Sequence, residues 1–146
     1  MPSGVQALER AYRATAYVVF ARGAPLVLRV GERNSALDRL LHRNRRRDWA
    51  FITAWNPRSQ PLPRWRNERR QRGLAKLFPM ALLGAGIGVD VGWAPEESLL
   101  ALGVAAGRAR RVARQFGQKA IVAGRRGGAA QLIWCMRHGE DDGLIA

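Results

Sequence analysis

The sequence predicts an α+β fold: a single mixed β-sheet of about six to seven strands with three helices. Three observations lead there. The chain has 146 residues, 47% of them hydrophobic, enough for one domain with its own core. Short apolar runs alternate with three helix-spaced segments, in the order strand-strand-helix-strand-helix-strand-strand-helix-strand-strand. One run, Trp49 to Trp55, is apolar on both faces, as a central strand covered on both sides must be.

Ala16 to Phe20 and Pro25 to Val30 read as two strands around the turn Arg22-Gly23. In the second, Leu26, Leu28 and Val30 share a face opposite Arg29. The first helix follows, with Ser35 and Asp38 at capping-box spacing and Leu37, Leu40 and Leu41 on one stripe. It runs out in Arg43, Arg45, Arg46 and Arg47, which suit the carbonyls at a helix C-terminus.

In the strand Trp49 to Trp55, Trp49, Phe51 and Trp55 share one face and Ala50, Ile52 and Ala54 the other. Pro57, Pro61 and Pro63 stop any ladder, and a second helix runs from Pro63 or Arg64 to about Phe78. Met80 to Leu83 reads as a short strand. Gly84, Gly86, Gly88 and Gly92 then predict a flexible loop or irregular edge. Ser98 to Leu102 is another strand. Ala105 to Phe116 is an amphipathic helix with Ala105, Ala109, Val112, Ala113 and Phe116 inward, and Gly117 is placed to close it in the left-handed region. Lys119 to Ala123 and Ala129 to Cys135 form a last hairpin around Arg125 to Gly128. The ordered core is expected over about residues 12–135, with a frayed N-terminus and a frayed acidic tail, 137–146, that holds Glu140, Asp141 and Asp142.

The formal charge is +14, and 23 of the 25 basic residues are Arg, the exceptions being Lys76 and Lys119. From Arg33 to Lys76 the net charge is +10. A surface of that density can hold a phosphate backbone, with Arg43, Arg45, Arg46, Arg47, Arg66, Arg69 and Arg72 as the contacts, or it is a solvated basic face. A lone Cys135 forbids an internal disulfide and suits a reducing compartment. The first twenty residues lack the basic-then-apolar order of a signal peptide, and Ala16 to Ala21 is too short to span a bilayer. The expectation is a cytoplasmic protein with no membrane partner.

Candidate chemistry gathers at the end of the central strand. Asn67, Arg70, Leu74 and Leu77 fall on one helical stripe; the leucines must face the core, so Asn67 and Arg70 turn inward near Asn56. Glu96, Ser98 and Leu100 share one face of a strand and Glu97, Leu99 and Ala101 the other, so the two acids cannot act together on one atom. Gly84-x-Gly-x-Gly88 lacks the dinucleotide-binding spacing and no helix follows it. His42, His138 and Cys135 make no metal set, and Ser59 and Ser98 have no evident His partner. No catalytic residue, metal ligand or cofactor is therefore assigned.

Several of these pieces occur together in a known pattern. They are Ala50-Phe51-Ile52-Thr53-Ala54-Trp55-Asn56-Pro57-x-Ser59, then Leu62 and Asn67-x-x-Arg70, then Trp93-x-x-Glu96-x-Ser98-Leu99-Leu100 with Gly103, and Arg114-x-Phe116-Gly117-Gln118-x-Ala120-Ile121-Val122. In order and spacing the chain resembles the bacterial family called domain of unknown function 3293, from about Tyr12 to Cys135. It departs from that pattern at Trp65-Arg66, where the family tends to be acidic, and at Lys119, where Asn is common. The resemblance implies a polar set of Asn56, Ser59, Asn67, Arg70, Glu96, Ser98 and Gln118, and brings no activity with it.

Three functions compete. The first is a binding or regulatory module whose polar set takes a small polar or anionic ligand. The second is a nucleic-acid-associated protein using the Arg-rich surface 33–76; the third is an enzyme of unknown reaction. No nucleophile, base or metal set supports the third, and only Trp65 lies among the Arg residues to stack on a base.

Overall fold

Alternation along one strand decides the layering. In a computed structural model, which describes residues 4–88 and 94–136, the apolar run at Trp49 becomes strand β3 (Asp48–Ile52). Before it come helix α1 (Gly4–Ala14), β1 (Ala16–Val19), β2 (Leu26–Leu28) and α2 (Ser35–Arg43). After it come a single 3-10 turn (Pro57–Ser59), α3 (Arg64–Leu77), β4 (Ala81–Ile87), β5 (Glu96–Leu102), α4 (Ala106–Gln115), β6 (Ala120–Arg125) and β7 (Gln131–Trp134). The seven strands form one sheet in the order β2-β1-β4-β5-β3-β6-β7, so β3 is interior.

Trp49 and Phe51 point to the face that carries α2, and pack with Leu37, Leu41, Leu100 and Val122. Ala50 and Ile52 point to the face that carries α3 and α4, and pack with Leu74, Leu99, Ala109 and Ala113. Small residues on that second face let the two helices lie close to the sheet. The α+β class and the single sheet are those read from the sequence.

Four details differ from the sequence reading. Every strand pairing is antiparallel, so the sheet is not mixed. Among the described residues there are four α-helices: α1 occupies the segment expected to fray, with Tyr12 set edge-on against Trp134 at 5.9 Å. Its apolar stripe, Val5, Leu8 and Tyr12, has helical spacing. The cap of α2 is Asn34, whose Oδ1 accepts from the Leu37 amide, and not Ser35; Asp38 instead accepts from the Gly127 amide at 2.8 Å.

Gly84 and Gly86 lie in the second half of β4 and not in a loop, and Gly88 follows its last residue, Ile87. Here glycine serves close approach. A Cβ on Gly84 would lie 2.7 Å from the Val18 carbonyl oxygen and 2.8 Å from the Phe51 ring. Gly92, Trp93, His138 and the acidic tail lie outside the described residues.

Candidate functional site

At one end of the sheet the backbone opens into a cavity of about 470 Å³. Antiparallel pairing brings five chain segments to the same rim: the end of β3, the starts of β1, β5 and β6, and the end of β4. Helix α1 lends Leu8, Ala11 and Tyr12 to the wall; none of its residues is fully buried. Tyr17, Phe51 and Trp55 supply the apolar lining, and Thr53, Asn56, Ser59, Glu96, Ser98 and Gln118 the polar part. The charged side chains of the described lining are Glu96 and Lys119, and Lys119 has a partner of its own.

The loop after β3 is held in an unusual shape. Asn56, Arg58 and Ser59 have φ of 43°, 57° and 59°, in the left-handed region that residues with a Cβ avoid. Asn67, 2% exposed, fixes the first of them. Its Oδ1 accepts from the Asn56 amide at 2.8 Å, and its Nδ2 donates to Asn56 Oδ1 at 2.7 Å and to the Leu62 carbonyl at 3.2 Å. Asn56 Oδ1 also accepts from the Leu62 amide. This leaves Asn56 Nδ2 to face the cavity, where it donates to Glu96 Oε1 at 3.3 Å.

Arg70 does not reach a carboxylate. Its Nε donates to the Ala54 carbonyl and its Nη2 to the Phe116 carbonyl. Burial, and then the neighbouring charges of Arg66 and Arg58, hold the guanidinium below its usual pKa. Gln118 Nε2 donates to the Trp55 carbonyl, and the Arg58 amide to the Gly117 carbonyl. Gly117, at φ 75°, has no room for a side chain: its Cβ would stand 2.7 Å from Pro57 Cβ. The Asn-Pro loop, the start of α3 and the end of α4 thus form one hydrogen-bonded block.

Five of the seven polar residues singled out from the sequence line the cavity: Asn56, Ser59, Glu96, Ser98 and Gln118. Asn67 and Arg70 stand behind it and hold its wall. Sequence reasoning missed the other wall. Tyr12 and Tyr17, the chain's two tyrosines, come from α1 and β1, and the signal that could have found Tyr12 is the helical spacing of Val5, Leu8 and Tyr12. Thr53 and Gln71 were missed too: Thr53 Oγ1 donates to the Glu97 carbonyl, and Gln71 Oε1 accepts from the Ala54 amide.

Burial raises the Glu96 carboxyl above its ordinary pKa, and the Asn56 amide offsets part of the rise. Burial likewise raises the phenols of Tyr12 and Tyr17, and the Tyr17 hydroxyl donates to the Tyr12 carbonyl at 3.0 Å. The cavity therefore has an apolar, aromatic body with one titratable carboxyl at its polar end.

Residues 52–121 match the family model described as Protein of unknown function (DUF3293). Over that segment, the chain is similar to the DUF3293 family. No curated protein and no solved structure matches it. The DUF3293 segment runs from the last residue of β3 into β6, and so contains Asn56, Asn67, Arg70, Glu96 and Gln118. It leaves out α1 and β1, which bring the two tyrosines.

The seven Arg residues proposed for nucleic acid are all exposed. They do not make a single face. Arg43 belongs to α2 and Arg45, Arg46 and Arg47 follow it, whereas Arg66, Arg69 and Arg72 belong to α3, which packs on the opposite side of the sheet. Among the described residues, no helix is long and apolar enough to cross a membrane.

Proposed function

We propose that this protein is a binding module that takes a small organic molecule into the cavity lined by α1. The observation that carries the reading is a cavity of ligand size, about 470 Å³, lined mainly by apolar and aromatic side chains with a few polar groups converging at one end. Asn56, Ser98, Gln118 and Glu96 offer donors and acceptors to the polar end of the ligand. Asn67 and Arg70 act as positioning residues, since their hydrogen bonds go to the loop and carbonyls that form the wall. Arg70 was the best seat for an anionic ligand, and those carbonyls occupy it, so the reading favours a polar ligand over an anionic one. α1 is the cover: it lines the cavity and buries none of its own residues fully.

The test is a melting-temperature screen of the purified protein against a diverse set of small organic compounds. The variant Ala11→Trp, which plugs the cavity from α1, is screened in parallel. Stabilisers that lose their effect in Ala11→Trp support the reading. A screen with no stabilisers, or stabilisers indifferent to the plug, would sink it.

A second reading keeps the exposed Arg residues as a phosphate-backbone surface. Their exposure favours it, and their division between two faces of the sheet limits it to one group at a time. Binding to nucleic acid that weakens with a log-log salt slope of about −0.7 to −0.9 per phosphate contact would support it. No binding at low salt would leave only a solvated basic surface.

A further inference from the structure

Building on the cavity as a ligand site, we propose that its ligand is an organic cation: an amine whose ammonium meets Glu96 and whose apolar body lies among Tyr12, Tyr17, Phe51 and Trp55.

The first ground is an unclaimed carboxylate. The chain has 25 basic residues against 11 acidic ones, so its acids have cations to choose from. Glu9, Glu68 and Asp48 each pair with an arginine at the surface. Glu96 does not: among the described residues, its one side-chain donor is the neutral Asn56 amide at 3.3 Å. It is nonetheless buried enough for its carboxyl to be harder to ionise. The inward guanidinium, Arg70, cannot serve it, since Nε and Nη2 are fixed on the carbonyls of Ala54 and Phe116. A desolvated carboxylate with no cation is costly, and a ligand that brings the cation recovers that cost on binding.

The second ground lies in the aromatic residues of the wall. The cavity wall is aromatic on several sides, and the faces of Tyr, Phe and Trp rings attract an ammonium group. A carboxylate with aromatic walls selects for a cation. It also selects against an anion, which the Glu96 charge would repel. Among the described lining residues, the charged and titratable groups beside Glu96 are Tyr12 on α1, Tyr17 on β1 and Lys119 before β6. Lys119 is the group that would favour an anion, so the experiment includes one.

Three probes of one shape separate the possibilities: 2-phenylethylamine, 2-phenylethanol and phenylacetate, titrated by calorimetry into the whole protein at neutral pH. The amine should bind about tenfold more tightly than the alcohol, the scale of one partly buried charge-assisted hydrogen bond. Glu96→Gln should erase that advantage by weakening the amine far more than the alcohol, and continued binding of the alcohol shows that the cavity is intact. Ala11→Trp should abolish binding of both. Phenylacetate binding best, or the amine binding no better than the alcohol, with the plug still blocking, overturns the cation and leaves the cavity. Failure of all three probes, or binding that ignores the plug, overturns the cavity reading and this one with it.

Discussion

Replacing Asn67 by Ala tests the architecture of the cavity wall. The side chain makes three hydrogen bonds: one accepted from the Asn56 amide and two donated, to Asn56 Oδ1 and the Leu62 carbonyl. Alanine strands the Asn56 amide, a part-buried donor, at about 1–3 kcal/mol. The two lost Nδ2 bonds add roughly 0.5–1.5 kcal/mol each, and these partners are only part-buried, so the lower ends apply. The sum is about 2–4 kcal/mol. At this chain length a loss of 1 kcal/mol lowers the melting temperature by roughly 3 °C, giving a drop of about 6–12 °C. Urea denaturation should show a lower midpoint with an unchanged m-value. The left-handed geometry of Asn56 would relax as well, and the Asn56–Glu96 contact would go with it. A loss under about 0.5 kcal/mol would refute the claim that Asn67 holds the loop.

Other perturbations reach separate parts of the molecule. Ile52→Ala empties a site 1% exposed between the sheet and α3 and α4, and should cost about 2–5 kcal/mol in urea denaturation. Gly84→Ala drives a Cβ against the Val18 carbonyl and the Phe51 ring, and should cost roughly 1–3 kcal/mol by the same assay. The raised pKa of Glu96 makes its contribution to stability greatest below the ordinary value of 4.5, and that contribution is lost as pH rises through the folded-state value. Glu96→Gln, which cannot ionise, should therefore be more stable than the parent at neutral pH, with the gap closing near pH 4; a gap independent of pH would contradict the burial of that carboxyl. Burial pushes the Cys135 thiol up to about 11, so a thiol reagent at neutral pH should modify it at least about a hundredfold more slowly in the folded than in the denatured protein.

The central strand was legible because both of its faces are apolar, and nothing but a covered strand satisfies Trp49, Ala50, Phe51 and Ile52 together. The inward turn of Asn67 was legible because Leu74 sits seven residues on, two turns along the same stripe. The glycines of β4 were misread for a physical reason. Local propensity says loop, but the space beside Gly84 is taken by Val18 and Phe51, which are distant in sequence. Asp38 was misread similarly, since its partner, the Gly127 amide, is 89 residues away. The cavity is the least legible feature. Its polar wall follows from residues at strand ends, but the Tyr12 part of its aromatic wall depends on where α1 docks, and the spacing of Val5, Leu8 and Tyr12 encodes the helix but not its docking.

The most direct measurement of the account is a two-dimensional amide NMR titration of the isotopically labelled protein with 2-phenylethylamine. A ligand in the cavity should shift Tyr12, Tyr17, Ser98 and Gln118 together with one dissociation constant, while the amides of Arg43 to Arg47 and of Arg66 to Arg72 stay still. Shifts confined to the arginine-bearing helices, or scattered without saturation, would contradict it.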